Sequence, residues 1–408
     1  MRFFQSFSSI SILSLCTTTL IAQSSLLMEQ IQVPQCLASH VPKTYSVLAE
    51  NQLFKIIEVP SNELENITRL ADSVGCGRFV NISHRVTETN SNAVSQERVN
   101  AQLQKSLLHA HVLKNTYEIK HPTEVNTALQ KINTNQLWEF LTHLTNYTNR
   151  SATKDTGVQA AQWIKDTVDN IAVQNGRTDV TTYFVATGRY KQPSLVTVIG
   201  QSIQAPAVVI GAHMDTLDGY MPGAGDDGSG SATLLEMTDV LLSSHYAYKR
   251  PIYIIWYAAE ERGMVGSQYV VDDFLKKKTP VYAVMQFDMT GYRSNANDPS
   301  MWVFRDYTDS TLNTFTADLI KTYIKVPVKY SQCGYGCSDH VSWTEEGFPA
   351  TFPCESSYND HNPYIHTSND TLSLLNTDHL ANFTKLALAF VIELGLGEKK
   401  ELAFIYPV

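Results

Sequence analysis

Two adjacent glutamates, Glu260 and Glu261, follow the run Pro251-Ile-Tyr-Ile-Ile-Trp-Tyr-Ala-Ala259. The run is apolar, β-branched and aromatic, which predicts a buried strand. It therefore delivers two carboxylates from a hydrophobic sheet. Neighbouring residues at a strand end point different ways, so one carboxylate can bind a metal while the other handles a proton. Most Glu-Glu pairs are solvated surface features, so the weight falls on the company this pair keeps.

Two more apolar runs end in candidate ligands. Ala207-Val-Val-Ile-Gly-Ala212 leads into His213-Met214-Asp215, and Val281–Phe287 leads into Asp288. His213 and Asp215 are two apart and face the same side if the strand continues through them. In open α/β folds ligands bind outside the carboxyl ends of the strands, where all three runs place these groups. Between the first two lies Pro222-Gly-Ala-Gly-Asp-Asp-Gly-Ser-Gly230. Its glycine spacing matches a dinucleotide fingerprint, but two carboxylates inside the loop would repel a pyrophosphate. Presenting Asp226 to a cation fits the loop better. Late in the chain, His366 completes a set with His213, Asp226, Glu261 and Asp288. Oxygen and nitrogen donors without thiolates suit zinc, with manganese or cobalt as alternatives. Five ligands exceed one tetrahedral zinc and suffice for two if one carboxylate bridges. The charges agree: two dications balance three carboxylates and a bridging hydroxide.

The elements that must hold these groups follow from periodicity. Apolar runs at 195–199, 207–212, 252–257, 281–287 and 301–304 alternate with helical stretches such as 137–144, 157–171 and 231–242. This pattern predicts an α/β domain with a mixed, largely parallel central sheet sandwiched between helices. Thr377 is the expected N-cap of a closing helix over 378–394, with Gly395 as its stop. Ahead of this domain, residues 23–118 read as a small α+β unit: a strand at 53–59, a capping box at Asn62–Glu65 opening a helix through Val74, a strand at 78–82, and a helical stretch at 93–112. No residue cluster in that unit suggests chemistry. Residues 1–22, with Arg2 before an apolar stretch too short to span a bilayer, read as a secretory signal peptide. Residues 398–408 form a tail.

Composition bounds the function classes. The 408 residues carry 31 basic and 40 acidic groups, a net charge of -9. That balance speaks against nucleic acid or an anionic membrane as partner, and no later segment has the length of a membrane helix. The expected product is exported, soluble and monomeric, with no membrane association once the signal is removed. In that oxidising compartment Cys333-Gly-Tyr-Gly-Cys337 can close a local loop, and Cys36 and Cys76 can pair in the N-terminal unit. Cys354 is then the leftover thiol. There is no G-x-S-x-G elbow and no H-E-x-x-H, so acyl-enzyme and zincin chemistry find no support.

From about Leu141 to Gly395 the chain resembles the secreted bacterial leucyl aminopeptidases, which are dizinc exopeptidases. The motifs are Leu141-Thr-His-Leu-Thr-Asn-Tyr-Thr-Asn-Arg150, His213-x-Asp215, Pro222-Gly-Ala-Gly-Asp-Asp-Gly-Ser-Gly230, Ala258-Ala-Glu-Glu261, Asp288-Met-Thr-Gly-Tyr292, Cys333-Gly-Tyr-Gly-Cys-Ser-Asp-His340 and Ile365-His-Thr367. The resemblance implies two Zn2+ ions bridged by Asp226, with His213 and Asp288 completing one site and Glu261 and His366 the other. It implies Glu260 as general base and Asp215 as the group orienting His213. Tyr335, held by a Cys333–Cys337 bridge, would donate to the oxyanion. Met289, Tyr335, Cys354, Tyr358 and Ile365 would line a pocket for the side chain of peptides with a free N-terminus, Leu and other apolar residues preferred. Two positions depart from the family pattern: Cys354 stands for an aromatic residue and Gly225 for an acidic one. The resemblance assigns residues 119–397 to the catalytic domain and likens residues 23–118 to a removable pro-segment, as in a zymogen. The rivals are a single-zinc glutaminyl cyclase of the same fold and a non-catalytic peptide-binding homologue.

Overall fold

The computed structural model describes residues 27–88, 93–105 and 115–396. The expected signal peptide and C-terminal tail lie outside these residues. Among the described residues, twelve strands form two sheets: β1 Met28–Pro34, β2 Ser46–Glu50, β3 Phe54–Pro60, β4 Val80–Asn81, β5 Val180–Val185, β6 Ser194–Ile199, β7 Ala207–His213, β8 Ile252–Tyr257, β9 Val281–Phe287, β10 Met301–Phe304, β11 Val328–Ser331 and β12 Ala350–Cys354.

The larger sheet has the order β11-β10-β12-β9-β7-β8-β6-β5. At its centre β7 runs parallel to both β8 and β9, and β9 parallel to β12; β5, β6 and the β10–β12 pair add antiparallel contacts. The two-residue period of the buried strands divides the core between the faces. Val208, Ile210, Ala212, Ile252, Ile254, Trp256, Ala283, Met285 and Phe287 pack on the side of the helices Thr134–Thr145, Asp155–Gln174, Ser229–Ser244 and Thr377–Gly395. Val209, Ile255, Tyr257 and Val284 face the helix Val265–Lys277 and Trp343. In register, His213 pairs with Tyr257 and Ala212 with Phe287. The loops leaving β7, β8 and β9 therefore open side by side on one edge.

Three strands of the larger sheet have no counterpart in the sequence reading, nor do β1 and β2 of the smaller one. β12 contains Pro353, which argues against a central strand; here its antiparallel partner is Val303. β5 and β11 lie at the sheet's two outer edges and are only partly buried. The closing helix is capped by Asn376, whose side chain accepts from the His379 amide, and not by Thr377. The helix does end at Gly395, its last residue, where a Cβ would come within 2.7 Å of Ile252, so close packing also favours glycine there.

The N-terminal sheet has the order β2-β3-β1-β4. The helix Leu64–Val74 packs on it and ends at Gly75, whose φ of 64° is the left-handed conformation favoured at a helix stop. The expected capping box does not form. Glu65 instead pairs with Arg262 at 2.7 Å and accepts from the Asp218 amide, both in the larger unit. The strand expected over 78–82 shortens to β4. The helical stretch expected over 93–112 is a helix over Gln96–Lys105, and residues 106–112 lie outside the described residues. A disulfide joins Cys36 to Cys76 and a second joins Cys333 to Cys337.

The two units share an apolar cluster in which Phe54, Ile56, Val80 and Ile82 meet Met264 and Val341. The expected boundary at residue 118 falls within chain already docked on the larger unit, since Tyr117 packs on Phe315 and Tyr282. Among the described residues, no helix is long and apolar enough to cross a membrane.

Candidate metal centre

Asp226 belongs to two groups of potential ligands. One joins it to His213 and Asp288, the other to Glu261 and His366, with the donor atoms of each group within 4.8 Å of one another. All five residues are buried. His213 Nε2 lies 3.0 Å from Asp226 Oδ1 and 3.6 Å from Asp288 Oδ1. His366 Nε2 lies 2.9 Å from Asp226 Oδ2 and 3.4 Å from Glu261 Oε2. Neither ring nitrogen of His213 makes a hydrogen bond. A buried imidazole so oriented, facing two carboxylates without bonding to either, fits a cation ligand better than a satisfied core histidine. The second group offers the same nitrogen and oxygen donors.

Bracing of these ligands starts from backbone groups. The Asp215 carboxylate accepts from the amides of Glu260 at 3.0 Å and Glu261 at 3.2 Å, so it fixes the turn carrying the glutamate pair. It lies 3.6 Å from His213 Nδ1, beyond a hydrogen bond. Its first task in this structure is therefore the glutamate turn. Asp227 Oδ1 accepts from Gly230 and Met289, tying the glycine-rich loop to the loop after β9. The buried Arg150 guanidinium donates to the carbonyls of Met214, Leu144, Pro222 and Gly223, which clamps the exit of β7 against that loop.

Gly225 has no room for the acidic side chain of the family pattern. An added Cβ would meet Asp370 Oδ1 at 2.9 Å. The Asp370 carboxylate occupies that space and accepts from the Gly225 and Asp226 amides at 3.0 Å and from Asn362 Nδ2 at 2.8 Å. Burial pushes its pKa up to about 6. Replacing Asp370 by Ala strands buried amides, and each such loss costs about 1–3 kcal/mol. We expect the variant to unfold at lower denaturant and to bind zinc more weakly; unchanged midpoint and affinity would show that Asp370 braces nothing.

The centre is short of positive charge. Burial raises the pKa of Glu260, against the pull of Arg78, and raises that of Glu261 to about 8. Burial also pulls both imidazoles down, but Asp288 beside His213 and Glu261 beside His366 more than offset it, and both rise well above the ordinary histidine value. Asp226 goes the other way: burial opposes its charge, yet His213 and His366 hold it well below the usual carboxylate range. Burial thus leaves Glu260 and Glu261 in need of a positive partner, a proton or a cation.

A cavity of about 350 Å³ adjoins the centre, and Met289, Tyr335, Cys354, Tyr358 and Ile365 all line it. Phe304, Phe352 and His361 line it too, and the sequence reading named none of them. Cys354 is a free, buried thiol that donates to the Asp288 carbonyl at 3.4 Å, and burial raises its pKa.

The N-terminal unit was expected to hold no chemistry, yet it reaches the centre. Arg78 pairs with Glu260 at 2.9 Å and Glu261 at 3.0 Å, and its Nη1 lies 2.5 Å from His366 Nε2. Asp72 Oδ2 lies 2.7 Å from His366 Nδ1, and Arg69 donates to the His366 carbonyl at 3.3 Å. Ala71, Gly75 and Cys76 form one wall of the cavity.

Comparison with known proteins agrees with this geometry. Residues 195–391 match Peptidase family M28. Leucine aminopeptidase 1 of Coccidioides posadasii is 35% identical over 300 residues, covering 69% of this chain and 76% of the relative. The LapA aminopeptidase of Legionella pneumophila is 59% identical with a TM-score of 0.87, covering 91% of this chain and 100% of that structure. LapB of the same organism is 45% identical with a TM-score of 0.85 over the same shares. A match over 91% of the chain extends into the N-terminal unit.

Proposed function

This chain belongs to peptidase family M28, and we propose that within it the protein is a secreted, monomeric dizinc aminopeptidase that removes Leu and other apolar residues from peptide N-termini. Metallo-aminopeptidase activity follows from the family. The finer reading rests on one observation: two buried donor groups meet at a shared Asp226, beside a glutamate that belongs to neither. His213 and Asp288 would hold one zinc, Glu261 and His366 the other, with Asp226 bridging. Such ions supply charge to polarise a carbonyl and to acidify a water.

The chain's own residues carry the rest. Glu260, raised in proton affinity by burial, takes the proton of the attacking water and passes it to the leaving amine. The Tyr335 hydroxyl, held protonated by burial, donates to the oxyanion. The cavity beside Met289 and Ile365 receives the N-terminal side chain, and its thioether, aromatic and aliphatic walls favour apolar residues. A one-zinc cyclase would leave one of the two donor groups without purpose.

Residues 23–118 act in this reading as an inhibitory pro-segment, because Arg78 engages the general base itself. The chain that follows this segment is a poor target for the cut: the amides of Lys120 and His121 donate to Glu393 and a helix occupies Pro122–Leu129. A cut that frees the segment belongs before Lys120.

The test is a panel of aminoacyl anilides and Gln-peptides assayed alongside metal content per chain, before and after that cut. We expect two zinc ions, Leu-anilide hydrolysis lost on chelation and restored by zinc, and faster turnover after cleavage. Cyclisation of Gln-peptides without Leu-anilide hydrolysis would overturn the reading.

A further inference from the structure

One of the two donor groups already faces a positive charge from the chain itself. Arg78 Nη1 lies 3.0 Å from Glu261 Oε2 and 2.5 Å from His366 Nε2, two of the atoms that with Asp226 make up that group. We propose that Arg78 competes with the divalent cation for this site, so that the intact chain holds its second ion more weakly than it holds its first. The inference rests on the dinuclear reading above and adds to it a built-in control of metal loading.

Three observations carry it. The first is charge. A guanidinium stays protonated at any working pH, and this one spans Glu260 and Glu261, the carboxylates at the end of β8. A dication bound to Glu261 and His366 would sit against that positive group. Among the described residues no arginine or lysine forms an ion pair with Asp288, so the competition falls on one site of the two.

The second is the bonding capacity of His366. Its Nδ1 lies 2.7 Å from Asp72 Oδ2, and Arg78 Nη1, a donor only, lies 2.5 Å from Nε2. That contact opposes the pull of Glu261 toward the charged ring and requires the neutral tautomer, with the hydrogen on Nδ1 and a lone pair on Nε2. That lone pair can accept an N–H from Arg78 or bind a metal, but not both. Asp72 thus prepares the same nitrogen for either partner.

The third is delivery. Arg78 lies within a segment fixed at three points, two before it and one after. Cys76 is bonded to Cys36, Gly77 lies under the Tyr335 ring where an added Cβ would come within 2.4 Å, and the Asn81 amide donates to the Gly263 carbonyl at 3.0 Å. The arginine is held in place and does not arrive by a chance swing of a surface side chain.

The experiment uses the full-length precursor, its Arg78→Ala and Arg78→Gln variants, and zinc itself as probe. Equilibrium dialysis against buffered zinc gives ions bound per chain. If Arg78 occupies the site nine-tenths to ninety-nine hundredths of the time, apparent affinity for the second ion falls by about 10–100-fold. Both variants should regain that factor at the second ion and leave the first unchanged. A second measurement needs no substitution. Because coupling is reciprocal, zinc at the second site should speed hydrogen exchange at the amides of Gly75–Arg78 in the natural chain. Equal second-ion affinities in all three chains, or exchange at Gly75–Arg78 unmoved by zinc, would overturn the competition and leave the dinuclear reading standing. A chain that takes up no second ion with or without Arg78 would overturn the dinuclear reading, and this inference with it.

Discussion

Glu260→Gln should cut turnover on Leu-anilide by roughly 10²–10⁴-fold, the scale of a lost general base, with two zinc ions still bound and KM little changed. The carboxylate belongs to neither donor group, so the amide removes a proton acceptor and no ligand. Its shape is preserved, and the backbone amide of residue 260 still donates to Asp215, so the turn keeps its anchor. The assay belongs on cleaved enzyme. In the precursor Arg78 pairs with Glu260 and would mask the loss. Metal content is read on the same sample. A variant that loses an ion would mean that Glu260 is a ligand.

Glu261→Gln should fail in a different way. Its Oε2 lies 3.4 Å from His366 Nε2 in the second donor group, so the substitution removes a charged ligand from one ion only. Binding of that ion should weaken by at least about tenfold, a factor worth about 1.4 kcal/mol. Activity should then climb with added zinc where the natural cleaved enzyme is already saturated. The first ion, which His213 and Asp288 would hold with Asp226, should be unaffected. If the variant holds both ions as tightly as the natural enzyme, the assignment of Glu261 is wrong. If Glu260→Gln needs added zinc and Glu261→Gln does not, the two neighbours have exchanged roles.

Three of the candidate ligands were legible because each follows an apolar strand and the three strands are adjacent at the sheet centre. Sequence shows a strand end directly; His213, Glu261 and Asp288 are that kind of signal. Asp226 was legible because glycines crowd around it. Asp370 was not, for its carboxylate acts across 144 positions of sequence on the Asp226 amide, and no local pattern marks it. Asp215 was seen as a partner of His213, but whether it grips the imidazole or the next turn depends on how the chain leaves β7. β12 was hidden by its proline. Arg78 and Asp72 were the largest omission. A single arginine after Gly75-Cys76-Gly77 has no spacing that announces chemistry. The only hint was the pair of cysteines, which pointed to a fixed loop but not to where it is fixed.

The apolar cluster that joins Phe54, Ile56, Val80 and Ile82 to Met264 and Val341 changes what a single cut accomplishes. If residues 23–118 are an inhibitory pro-segment, cleavage before Lys120 severs the chain and leaves this packing intact. The freed segment becomes a separate molecule bound to its former partner, and its escape turns from an internal opening into a true dissociation. Inhibition after the cut should therefore obey a binding isotherm: activity per mole rises on dilution, falls when the isolated segment is added back, and lags behind cleavage by the segment's residence time. A second cut within the segment, or reduction of Cys36–Cys76, would shorten that residence.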